Sequence, residues 1–193
     1  MKNQPKLARM TLDDYLDDDG AVGSHVASVR RAVKRAGADT SKILVADIKE
    51  KDIVASTRRG IIHLDRNTLR KSTDAELVHR LRHEQTHVEG IYNEGLVELI
   101  IAEHNKTGRD FYKREQARVQ KITDILSPVD GVKRVERMYK QKKIKLLYRT
   151  FLIAAARKNI KQNVAHEMFL SAFPELEQHI RNKKKKSVVR KMA

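Results

Sequence analysis

Two histidines four positions apart, with a glutamate directly after the first, constrain this chain more than any other stretch: His83-Glu84-Gln85-Thr86-His87. Positions four apart are separated by about one turn of α-helix, so the two imidazoles project from one face and can meet a single metal ion. Glu84 then stands beside that face, where its carboxylate can take a proton from a metal-activated water. A motif this short arises by chance in roughly a few per cent of chains of this length and composition, so its surroundings decide how it is read.

Those surroundings delimit a helix. Thr73 can cap the first amides and Glu76, three positions on, can reach back to complete a capping box. Leu77, Val78, Leu81 and Val88 give the helix a buried side, and Gly90 offers the left-handed residue that ends many helices. The chain continues Ile91-Tyr92-Asn93-Glu94-Gly95-Leu96-Val97-Glu98. On one unbroken helix Glu94 would lie ~10 Å beyond His87, too far for a zinc bond of ~2 Å. A chain reversal at Gly90, followed by a new helix with Asn93 as N-cap, would fold Glu94 back toward the imidazoles as third ligand. Glu98, one turn further, would then accept the outer N–H of a ligand histidine and fix its tautomer.

HEQTH followed by Asn93-Glu94 and Glu98 resembles the gluzincin branch of the zincin metallopeptidases, with NEGLVE similar to the element that carries their glutamate ligand. The resemblance covers about residues 40–105. It implies that His83, His87 and Glu94 bind Zn2+, that Glu84 is the general base, and that Glu98 and Asn93 support the ligands. Only six residues, 88–93, separate His87 from Glu94, fewer than gluzincins usually have. The spacing is also similar to the metzincin pattern, in which Gly90 matches the glycine and Asn93 the third ligand, but a neutral amide is a poor zinc ligand. The activity implied is that of a zinc-dependent endopeptidase.

Upstream, Ile43-Leu44-Val45-Ala46 is a short apolar run, and Asp52–Thr57 is joined through Arg58-Arg59-Gly60 to Ile61–Asp65. Runs rich in β-branched residues around a Gly-containing turn predict a hairpin. Zincins are similar here, with a small sheet ahead of the active-site helix whose edge strand can hold an extended peptide.

With 193 residues, 3 Pro and 8 Gly, the chain is long enough for a sizeable core and favours helix outside the hairpin. The absence of cysteine excludes disulfides and thiolate metal sites, so any zinc is held by nitrogen and oxygen. No signal-peptide pattern or membrane-spanning apolar run is evident, which makes a cytoplasmic protein the expectation. Residues 107–193 hold 23 Lys and Arg against 8 Asp and Glu, nearly all of the net charge of +16. Such a half is drawn to polyanions, either nucleic acid or an anionic membrane surface. The alternative to a peptidase is therefore a basic nucleic-acid- or ribosome-associated binding protein whose HExxH helix is structural. With only 5% aromatic residues, a stacking platform for single strands has little support.

The fold expected is α+β and mostly helical: a small antiparallel sheet or hairpin, the HExxH helix, then a helical C-terminal subdomain. By segment, 1–23 reads as a polar leader with at most a short helix, 24–105 as the zincin-like core, 106–180 as a basic helical subdomain and 181–193 as a basic tail. Helices are expected over 24–35, 94–104, 109–126, 132–156 (with an interruption allowed) and 161–173, with Ser127-Pro128-Val129-Asp130-Gly131 the clearest loop. His79 and His63 are candidates for supporting hydrogen bonds, and His166-Glu167 and Glu103-His104 read as surface pairs. Tyr92, Tyr112, Tyr139 and Tyr148 are each candidate donors to an oxyanion. Glu84 with His87 is also an ExxH pair of the di-iron type, but that site needs a second such pair, which the chain lacks.

Overall fold

A computed structural model describes residues 9–17, 23–48, 55–105, 112–177 and 180. The expected strand start at 52–54, the turn and helix start at 106–111 and the tail at 181–193 lie outside the described residues, as does the side chain of Ser24. The fold is α+β and mostly helical, as expected, with a small four-stranded sheet. The chain divides into two compact units, Met1–Glu89 and Gly90–Ala193.

In the first unit the order is β1 (Met10–Thr11), α1 (Leu12–Asp17), α2 (Gly23–Ala36), β2 (Ile43–Ala46), β3 (Ala55–Arg58), β4 (Ile61–Asp65), α3 (Arg66–Lys71) and α4 (Asp74–Val88). The β3–β4 hairpin forms as the sequence predicts. Arg59 and Gly60 both have positive φ, 52° and 77°, the pattern of a two-residue turn whose twist matches the strands it joins. The sheet is not purely antiparallel, however. Its order is β1-β2-β4-β3, and β2 runs parallel to β4 with Ile43 opposite Ile62 and Val45 opposite Leu64. Those four side chains are at most 1% exposed and form the inner face, which shares a core with Val29, Leu77 and Leu81 of α2 and α4. Parallel pairing lines up the four apolar side chains on one face, and each fully buried aliphatic contributes about 1.5–3 kcal/mol. It also leaves β3 on the sheet edge beside α4.

Residues 10–17 hold a short strand and the short helix that the sequence allows there. Met10 pairs with Val45, and Leu12, Tyr15 and Leu16 are buried in the same core while Asp13, Asp14 and Asp17 face outward. Thr11 caps this short helix, its hydroxyl accepting the Asp14 amide at 3.1 Å.

The second unit is helical: α5 (Glu94–Asn105), α6 (Lys113–Leu126), α7 (Gly131–Lys140), α8 (Ile144–Arg157) and α9 (Gln162–Ala172), then a 3-10 turn at Pro174–Leu176. Phe151, Phe169 and Phe173 are fully buried at its centre with Leu96 and Ile122. The expected loop at Ser127–Asp130 is present. The interruption allowed within the helix expected over 132–156 falls at 141–143, where Lys142 takes φ 54°. Gly95 is required by a close approach, since a Cβ there would lie 2.5 Å from the backbone oxygen of Glu115 on α6.

Candidate metal centre

The helix that carries HEQTH is fixed at both ends by its own sequence. Thr73 and Glu76 form the capping box, and at the other end Glu89 is followed by Gly90 with φ 92°. At its first residue the Ser28 hydroxyl donates to the Asp74 carboxylate, and Arg31 lies 3.5 Å from the same group, tying α4 to α2. These contacts hold the Asp74 carboxyl below its ordinary range, the Ser28 hydrogen bond contributing most.

On one side of this turn of α4, the Nε2 atoms of His83 and His87 stand 3.1 Å apart, with the rings nearly perpendicular at 82°. Two nitrogens each ~2.0–2.1 Å from one tetrahedral metal are about 3.3 Å apart, so the spacing suits shared coordination. Glu84 is buried. The Thr57 hydroxyl on edge strand β3 sits 2.7 Å from Oε2 of Glu84 and 3.1 Å from its backbone oxygen, so it holds the carboxylate from the sheet side.

Helix α4 does not run on into α5; residues 89–93 are non-helical. Asn93 caps α5 through its Oδ1, which accepts the Leu96 amide at 2.9 Å, while its Nδ2 donates to the Ala172 carbonyl at 2.8 Å and to the Glu175 carboxylate at 3.1 Å. Both ends of the Asn93 amide are thus committed to fixing the start of α5 and are not offered to a metal. Glu94 is the first helical residue. His83 and His87 belong to the first unit, and Glu94 and Glu98 open the second. Two imidazoles and one carboxylate are the donor set of a catalytic zinc site that keeps a fourth position open, and the paired imidazoles of α4 fit that ion as two of its donors.

Of the other candidates, His63 lies on β4. It pairs across the sheet with Ser56, and burial with the charges of Arg9 and Arg58 pushes its imidazole below the ordinary range. The Tyr139 hydroxyl is spent on Glu175 at 2.5 Å and that of Tyr148 is engaged with His166 at 2.8 Å, which removes His166 as a plain surface group. Tyr92 and Tyr112 are exposed. Sequence reasoning missed Thr57, because nothing in a strand threonine announces which helix residue its hydroxyl meets. Comparisons with protein-family models, curated proteins and solved structures found no match for this chain.

Proposed function

We propose that this chain is a zinc-dependent peptidase, with His83, His87 and Glu94 holding the ion. The observation that carries the reading is the pair of imidazole nitrogens, Nε2 of His83 and of His87, 3.1 Å apart on the helix that also carries the buried carboxylate of Glu84. Zinc, when bound, supplies Lewis-acid polarisation of a peptide carbonyl and of water. Glu84 takes the proton of the attacking water and later delivers it to the departing amine. Thr57 keeps the Glu84 carboxylate in place through both transfers. Glu98, 3% exposed, has in this reading the role of accepting the outer N–H of a ligand histidine. Strand β3 lies at the edge of the sheet and carries Thr57, so an extended substrate added along it by main-chain hydrogen bonds would run past Glu84.

Protein purified without chelator is expected to carry about one zinc per chain, lost when His83 and His87 are both replaced by alanine. Glu84→Gln should keep the metal and lower the rate of cleavage of an unfolded protein by about 10²-fold or more. Proteolysis at full rate in that variant would remove the mechanism.

A further inference from the structure

The second unit contains a hollow of about 780 Å³ at the turn between α7 and α8. A smaller one of about 390 Å³ shares Lys143 and Leu146 with it, so the two form one trough. Six cations line the trough: Arg134, Arg137, Lys142, Lys143, Lys145 and Arg149. The four nearest the α7–α8 turn, Lys142, Lys143, Lys145 and Arg149, are exposed and have no ion-pair partner among the described residues, whereas nearby Lys140 is paired with Glu136 at 2.8 Å. Among the described residues two carboxylates face the trough, Asp130 and Glu175, and Glu175 is already hydrogen-bonded by Tyr139 and Asn93. Converging cations held without counter-charge repel one another, and an anionic ligand relieves that repulsion.

The surface between the charges is apolar. Tyr92 is 67% exposed and Leu146 49% exposed, with Ile144 and Leu176 beside them. A phosphate backbone satisfies cations but gains nothing from an aliphatic floor, whereas a peptide that alternates acidic and large apolar side chains engages both. A hollow of this size is also that of a ligand pocket rather than the broad face a duplex needs. The acidic and apolar stretch Leu12–Asp17 of this chain is unavailable as occupant, since Leu12, Tyr15 and Leu16 are spent in their own core. We infer that the α7–α8 trough is a docking site for an acidic peptide segment with interspersed large apolar residues, belonging to another protein. The site requires no metal and stands apart from the peptidase proposal.

The test uses the full chain and fluorescence anisotropy of three labelled probes: a peptide alternating Glu with Leu and Phe, an all-glutamate peptide of equal charge, and a single-stranded RNA of equal charge. The alternating peptide is expected to bind about tenfold more tightly than either other probe at ~0.1 M salt, with or without chelator. The double variant Lys145→Glu, Arg149→Glu should weaken it by about tenfold or more. Lys145 lies in the first turn of α8, where an acidic side chain suits the helix dipole, so the fold should tolerate the change. Leu146→Ser, a smaller change on an exposed side chain, should weaken the alternating peptide about threefold to tenfold and leave the all-glutamate peptide unaffected. Undiminished peptide binding in the charge-reversed protein overturns the inference. So does equal affinity for the two peptides, or tighter binding of the RNA that is lost in the same variants.

Discussion

The two compact units bury different things. In the helical second unit the interior is aliphatic and aromatic, centred on Phe151, Phe169 and Phe173, and away from its first turns Thr123 is the one buried polar residue among those described. The first unit has an apolar core of similar kind against its sheet, yet His79, Glu84, Thr86 and His87 are all buried along α4. With Asn93 and Glu98, six of the eight described buried polar residues fall between positions 79 and 98. Burying polar groups costs free energy even when they are hydrogen-bonded, and a fold seeking only stability would scatter or avoid them. Their concentration in one stretch is what the proposed peptidase role accounts for and a purely structural role does not.

That contrast is open to direct attack, first where the expected effect is largest. Phe169→Ala empties the middle of the aromatic core and should destabilise the protein by about 3–5 kcal/mol in denaturant unfolding. Metal content per folded molecule should be unchanged. Zinc loss at full stability would mean that the core and the site had been assigned to the wrong residues. Glu98→Met should do the reverse. Exchanging a buried carboxylate for an apolar side chain of similar volume leaves the metal-free protein as stable or more so. Under the proposed role of Glu98 as acceptor for a ligand histidine, zinc binding should weaken by about 10–100-fold in chelator competition. A clear drop in the melting temperature of the metal-free variant, with zinc affinity intact, would make Glu98 a structural residue.

How much of this was legible follows from the range of the forces involved. The HEQTH helix could be delimited because its signals are local: Thr73 and Glu76 cap one end, and Gly90 adopts the positive φ expected of it at the other. The hairpin turn at Arg59-Gly60 and the capping role of Asn93 are likewise decided within a few residues. The parallel pairing of β2 with β4 was not, because it depends on where the chain returns after 47–54 rather than on any property of Ile43–Ala46. Thr57 meeting Glu84 and Gly95 meeting the Glu115 backbone are contacts across 27 and 20 positions that no spacing rule encodes. The break at 141–143 carries no Gly or Pro and places a lysine at positive φ, so it too is imposed by packing. The helix at 12–17 is a different lesson: Leu12, Tyr15 and Leu16 have the spacing of an apolar face, obscured by the aspartates among them.

The smallest expected effect concerns how α4 is moored to the rest of the first unit. The Ser28 hydroxyl and then Arg31 lower the Asp74 carboxyl below its ordinary value of 3.8, because both favour the charged form. A carboxyl whose folded value is depressed binds fewer protons in the folded state than in the unfolded one over the interval between the two values. Its contribution is therefore fully present above 3.8 and is lost as pH falls through the lower folded value. In Ser28→Ala the larger cause of the depression is gone. Thermal unfolding should show the variant less stable than the parent at neutral pH, with the difference narrowing as the solution is acidified below 3.8. A gap of constant size down to that acidity would show that Ser28 supports α4 by packing alone, and that the charge on the first residue of the histidine-bearing helix has no part in holding it against α2.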